Sequence, residues 1–130
     1  WSGRIIPPGF AVLRHELTAS AVRIASYPKE FGWGFASERF IQQRRIEYGH
    51  HRPDGIAILG ARRTAVEVQL SVTDQPHITA VLHNHLDQFE SVDYWCAPGP
   101  AVLVSRVLAT HIATADVHRV QVRELAGLAR

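Results

Sequence analysis

The stretch from Thr64 to Val72 constrains this chain more than any other. Val66, Val68 and Leu70 alternate there with Glu67, Gln69 and Ser71, the period-two pattern of a strand with one buried face. Just upstream, the apolar run Ile56-Ala57-Ile58-Leu59 is followed by Gly60 to Arg63, enough chain for a turn. The two runs are therefore expected to pair as a β-hairpin, with Pro53-Asp54 where a loop enters it. Residues two apart on a strand share a face, so Glu67 and Gln69 project together. Hairpin pairing then brings Asp54 beside Glu67.

Elements of both kinds are expected around the hairpin. Residues 1 to 9 hold Gly3, Pro7, Pro8 and Gly9 and read as an irregular lead-in. Helical spacing runs from Leu17 to Ser26, with Thr18 as cap, and Tyr27-Pro28 ends it. Phe31 to Phe35 is rich in glycine and aromatics and reads as a turn on the core. A second helix is expected from Ser37 to Gly49, and His50 to Pro53 as a loop. After the hairpin, a helix spans Pro76 to Phe89, with Ile78, Val81, Leu82, His85, Leu86 and Phe89 on one face. A strand follows over Ser91 to Ala97, then an apolar helix over Gly99 to Ala113 and a last strand over Val117 to Val122. Strands and helices alternate through the second half, which predicts one α/β domain with a mixed central sheet flanked by helices.

A chain of 130 residues, 46% hydrophobic and 20% charged, suits one domain with one core and argues against disorder. No apolar run reaches the roughly 18 to 20 residues that span a bilayer, and no secretory signal stands at the N-terminus, so no membrane partner is expected. The chain starts at Trp1 and holds no methionine, as a piece of a longer polypeptide would. Cys96 is the single cysteine, which excludes an internal disulfide framework and a multi-thiolate zinc site. It fits a reducing, cytoplasmic setting, and its ordinary role is a small buried hydrophobe. The net charge is +2, carried almost wholly by arginine, with Lys29 the sole lysine. Arginine forks match phosphate, but arginine abundance also follows from genome composition, so charge gives only a mild lean toward nucleic acid.

Two carboxylates and a carboxamide at one strand end make a hard oxygen site that suits Mg²⁺ or Mn²⁺. Asp54 and Glu67 are the candidate metal ligands, with the backbone carbonyl of Val68 as a further oxygen. A metal so held activates water and stabilises charge on a phosphoryl group. Each residue also has a plainer reading. Asp54 alone is a turn aspartate in Pro-Asp-Gly, Glu67 a charge on an exposed strand face, and Gln69 a solvated polar position. The pairing of Asp54 with a glutamate on an otherwise apolar strand favours the site, because a charge near a sheet interior needs a partner. The histidine pairs His50-His51 and His83/His85 lack the i, i+4 spacing of a two-histidine zinc face. His83 and His85 should face different ways on their helix.

Pro53-Asp54 followed by Glu67-Val68-Gln69 resembles the PD-(D/E)XK nuclease superfamily. The motif is loose, but its context adds specificity: a helix with an acidic residue (Glu38), a motif-bearing hairpin, a helix and a strand, in order across roughly residues 33 to 97. The set Trp33, Ser37-Glu38-Arg39, His51-Arg52-Pro53-Asp54 and Val66-Glu67-Val68 is most similar to replication-relaxation type proteins of bacterial plasmids and mobile elements. The resemblance implies a restriction-endonuclease-like core and a Mg²⁺- or Mn²⁺-dependent DNA endonuclease. In it Asp54 and Glu67 hold the metal, Gln69 orients the attacking water, and Glu38 helps through a second metal or a water. DNA is the implied partner, an N-terminal winged-helix DNA-binding part often precedes such a domain, and a homodimer is allowed for. The superfamily usually has lysine where Gln69 stands, although some of its restriction endonucleases use glutamine. The departure keeps open a catalytically inactive module of the same fold that binds DNA or mediates assembly. Arg39, His51, Arg52, Arg62 and Arg63 lie near the site in sequence and are candidates for backbone phosphate contact. Phe31, Trp33 and Phe35 could stack on bases, with core packing the plainer role.

Overall fold

The computed structural model describes residues 14, 15, 17–19, 22, 33–36 and 38–126, with backbone only at 33–35, 38, 40 and 59. Among the described residues five strands form one mixed sheet: β1 (Trp33–Phe35), β2 (Gly55–Leu59), β3 (Arg62–Gln69), β4 (Ser91–Cys96) and β5 (Val120–Glu124), ordered β1-β2-β3-β4-β5. Four helices join them: α1 (Glu38–Arg44), α2 (Gln75–Gln88), α3 (Pro98–His111) and the short α4 (Thr114–Val117). Residues 14, 15, 17–19 and 22 are also helical. β1, β2 and β3 pair antiparallel, while β3, β4 and β5 run parallel. The parallel pairs need crossovers, which α2 supplies between β3 and β4, and α3 with α4 between β4 and β5.

The hairpin forms as its pattern requires, with Gly55 opposite Val66 and Leu59 opposite Arg62. Gly60 takes a φ of 60° in the turn, a conformation open to glycine at no steric cost. The sheet is covered on both sides. On one face Ile56, Ala65, Val92 and Tyr94 pack against Ile78, Leu82, Val104 and Val107 of α2 and α3. On the other, Ala57, Val66, Val68 and Trp95 pack with Val22 and Ala19 of the N-terminal helical segment. Every residue of β4 is buried, as expected of a parallel strand covered on both faces. Its polar members have partners: Ser91 Oγ lies 2.7 Å from Thr64 Oγ1, and Asp93 Oδ2 lies 3.7 Å from Arg123 Nε.

Several boundaries differ from the sequence reading. Residues 33–35 form an edge strand beside β2, not a turn, because Trp33, Gly34 and Phe35 find partners in Leu59, Ile58 and Ala57. The second helix stops at Arg44, well before Gly49, since Arg45 turns to a φ of 50°. The helical segment already includes residue 14, so Thr18 lies inside it and bonds back to the Arg14 carbonyl rather than capping it. β3 ends at Gln69, whose partner Cys96 is the last residue of β4. Val72 is left 68% exposed, with no strand beside it. Val117 closes α4, and the last strand starts only at Val120, opposite Val92. The lead-in, Ser37 as a cap, Phe31 and Lys29 lie outside the described residues.

Candidate metal centre at the open end of the hairpin

The register explains how Asp54 meets Glu67. Backbone pairing of β2 with β3 stops at Gly55–Val66, so Val68 projects its N–H and C=O past the end of β2. A side chain from the approaching loop takes over. The Val68 N–H donates to Asp54 Oδ2 at 2.7 Å, and the Val68 carbonyl lies 3.0 Å from His15 Nε2. The same nitrogen is 3.3 Å from Asp54 Oδ2. Orphan backbone groups at the strand end are thereby satisfied by two ionisable side chains.

Glu67 points to the helix-covered face and is 14% exposed. Its Oε1 accepts a hydrogen bond from His85 Nε2 at 2.6 Å. The tautomer follows from the neighbouring amide. Asn84 Oδ1 accepts the His50 N–H at 2.8 Å, and Asn84 Nδ2 donates to the Tyr48 and His51 carbonyls at 2.7 and 3.1 Å. That orientation is fixed by one certain donor and two certain acceptors. Nδ2, which has no lone pair to offer, also lies 3.1 Å from His85 Nδ1, so the ring proton is not on Nδ1 and sits on Nε2, facing Glu67. His85 is fully buried, and burial lowers its pKa to about 4, which agrees with a neutral ring.

Adjacent residues of α2 thus hold both halves of the site. Asn84 pins residues 48–51, the loop that leads into Asp54, while His85 pins Glu67. Gly49 completes the fit: its φ is 75°, and a Cβ there would stand 2.2 Å from Asn84 Oδ1.

The electrostatics are those of a carboxylate pair short of positive charge. Burial raises the Glu67 pKa well above its usual range, and the adjacent Asp54 carboxylate raises it further. A divalent cation held here would favour the charged form of Glu67 and so oppose that rise. Among the described residues no group of three or more His, Cys, Asp or Glu is arranged to hold a metal ion. Two carboxylates and Val68 border one cleft, a donor set of the kind that suits a hard cation that keeps several waters. An open cleft of about 320 Å³ reaches these atoms, lined by Arg14, His15, Asp54, Glu67, Gln69 and Ser71 among others.

Gln69 shares this cleft. Its Nε2 donates to the Ser71 carbonyl at 2.8 Å, and Tyr94 Oη stands 3.5 Å from its Oε1. Tyr94 lies opposite Glu67 in the sheet and is 1% exposed. Burial first, and the charge of Glu67 second, keep its phenol protonated. Cys96 is buried, and its thiol is pushed up to about 12, so it offers no nucleophile here.

Of the other residues singled out in the sequence, Glu38 opens α1, and its side chain lies outside the described set. Arg39 is exposed on the same helix. His51 contacts His77 edge-on at 6.2 Å, and Arg52 stands over the Tyr48 ring at 5.8 Å. Arg62 and Arg63 do not gather at the cleft: they begin β3, and Arg63 precedes Glu67 by four residues, about 13 Å along a strand. Arg63 donates to the Gln88 carbonyl and pairs with Glu90. Hairpin geometry separates what sequence proximity grouped.

Sequence reasoning missed His15, Asn84 and Tyr94 as parts of the site and weighed His85 only for zinc. His85 did carry a signal, since a histidine in the apolar stripe of α2 needs a buried partner. His83, two residues earlier, is exposed and bonds the His111 carbonyl instead. No helix among the described residues is long and apolar enough to cross a membrane. Comparison of the chain with protein-family models, curated proteins and solved structures finds no match.

Proposed function

We propose that this domain is a divalent-metal-dependent DNA phosphodiesterase with a restriction-endonuclease-like core. The observation that carries the reading is the convergence of Asp54, Glu67 and the Val68 carbonyl on one cleft at the end of β2 and β3, with Glu67 buried against a second carboxylate. Such a pair is costly to the fold without a cation, and strained electrostatics of this kind mark functional sites. The element order supports the core assignment: helical segment, antiparallel β1-β2-β3, crossover helix α2, then parallel β4.

Asp54, Glu67 and the Val68 carbonyl would hold Mg²⁺ or Mn²⁺. When bound, such an ion stabilises charge on a phosphoryl oxygen and makes bound water more acidic. His85 donates Nε2–H to Glu67 Oε1 and so fixes the orientation of that carboxylate. Gln69 can orient a water through its carboxamide but cannot take up a proton, so it positions and does not act as base. Arg14, on the rim of the same cleft, is a cation able to meet a backbone phosphate.

The test is cleavage of supercoiled plasmid with Mn²⁺ or Mg²⁺, wild type against Glu67→Ala. Metal-dependent nicking that Glu67→Ala reduces at least about 100-fold supports the reading. A specific observation keeps a second reading in view: the usual lysine position is Gln69, tied to Ser71 and Tyr94. Salt-sensitive DNA binding with no cleavage under any metal would identify a non-cutting module of this fold.

A further inference from the structure

We infer that Arg14 is the phosphate anchor of this cleft: it holds a non-bridging oxygen of a nucleic-acid phosphodiester, with an amide N–H of Gln69 as the second donor. The inference rests on the phosphodiesterase reading above and names the residues that would recognise its substrate.

Among the described residues Arg14 is the one lysine or arginine that lines the cleft, which it shares with Asp54 and Glu67. It forms an ion pair with neither carboxylate there, so its guanidinium keeps its N–H donors for a ligand. The helical segment that carries it is seated on the sheet. The Arg14 carbonyl accepts from Thr18 Oγ1 at 2.8 Å, Ala19 and Val22 pack against the strands, and His15, next in the chain, reaches the Val68 carbonyl at 3.0 Å. No loop has to be ordered to bring Arg14 to the cleft, which lowers the entropic cost of binding through it.

Gln69 supplies the second donor, and its neighbours set which way the amide faces. The atom 2.8 Å from the Ser71 carbonyl is Nε2, because that carbonyl can only accept. Oε1 is then the atom 3.5 Å from Tyr94 Oη, a buried hydroxyl for which it is the acceptor. One Nε2 hydrogen is engaged by Ser71, and the other has no partner among the described residues. Gln69 lines the cleft and so offers it an N–H donor, while Oε1 keeps a lone pair for a water.

The carboxylates decide which anion suits these donors. A simple anion would be repelled by Asp54 and Glu67. A phosphodiester spreads one charge over two non-bridging oxygens, so one can meet Arg14 and Gln69 while the other meets a cation held by the carboxylates. Other arginines near the hairpin are employed elsewhere: Arg63 bonds the Gln88 carbonyl and pairs with Glu90, and Arg52 lies over the Tyr48 ring.

The experiment is fluorescence anisotropy of a labelled DNA duplex titrated with the protein over a series of salt concentrations, in EDTA and again at fixed Ca²⁺. One phosphate contact contributes about 0.9 to the slope of log K against log salt. Arg14→Ala should lower the slope by that amount and weaken binding about tenfold near ~0.1 M salt. Arg14→Lys keeps the charge and should keep the slope. Arg106→Ala removes an equal charge from an exposed position on α3 and should leave the slope unchanged. Gln69→Glu replaces the donor by a charged acceptor and should weaken binding about tenfold or more, and circular dichroism of each variant checks the fold. A wild-type slope in Arg14→Ala, an equal loss of slope in Arg106→Ala, or undiminished binding by Gln69→Glu overturns the inference and leaves the phosphodiesterase reading standing. No DNA binding by the wild type in either buffer overturns both.

Discussion

Asn84 should be worth more to this protein than its surface position on α2 implies. It makes four polar contacts, to the His50 N–H, the Tyr48 and His51 carbonyls and His85 Nδ1. Each such bond contributes a net ~0.5–1.5 kcal/mol, and because the loop is partly exposed, water recovers some of the loss. Asn84→Ala should therefore cost about 2–3 kcal/mol, read as a Tm lowered by about 10 °C for a domain of this size. Asn84→Asp has the same shape and keeps the acceptor for His50, but turns two donor contacts into oxygen–oxygen repulsion, so it should be no better than alanine. Both variants free the loop that carries Asp54 and release the tautomer of His85, so Mn²⁺ affinity should fall with stability. Thermal and urea unfolding, with calorimetric Mn²⁺ titration at a temperature where the variants stay folded, measure the two effects. A Tm within about 2 °C of wild type for Asn84→Asp would show that the amide orientation, and with it the His85 tautomer, is misassigned.

Two further outcomes follow from the same geometry. Glu67→Gln should raise metal-free stability, because it removes a carboxylate whose charged form burial and Asp54 both disfavour, while abolishing Mn²⁺ binding; a fall in metal-free Tm would contradict the charge reading. Its pH profile should also change. In the wild type, as pH falls below the ordinary histidine value of 6.5, the unfolded chain takes up a proton on His85 before the folded protein does, whereas on Glu67, whose pKa is raised by burial and Asp54, the folded protein takes one up before the unfolded chain. The two uptakes act on stability with opposite signs. Glu67→Gln leaves only the unfolded-state uptake, so its stability should drop by about 3 kcal/mol between pH 6.5 and about 4, the folded value of His85, following the 1.36 kcal/mol per unit of linkage. Gly49→Ala should cost about 1–3 kcal/mol in urea unfolding, because the φ of 75° and the 2.2 Å approach to Asn84 Oδ1 both oppose a Cβ; a neutral substitution would mean that the loop does not hold this conformation.

The sequence by itself determined the hairpin and the side-chain pairing on it. Period two over Val66 to Leu70 leaves a strand no choice but to aim Glu67 and Gln69 together, and a turn at Gly60 returns the chain toward Asp54. It also determined the apolar faces of α2 and α3, because burial of 3.6-period stripes is a local pattern with a single solution. Tertiary structure alone decided the rest. Trp33 to Phe35 become a strand only because β2 offers an edge, and Val72 is exposed because no strand extends beside it. His15 lies 39 residues before Asp54 in the numbering, and no spacing rule links a helix residue to a strand end that far away. His85 meets Glu67 because the crossover helix lays its buried face over β3, and Asn84 meets the loop before Asp54 for the same reason. Alternation and amphipathicity are written in neighbouring residues. Contacts between layers depend on how the elements pack, and there the chain decides which carboxylate gains a histidine and where a cation would find its ligands.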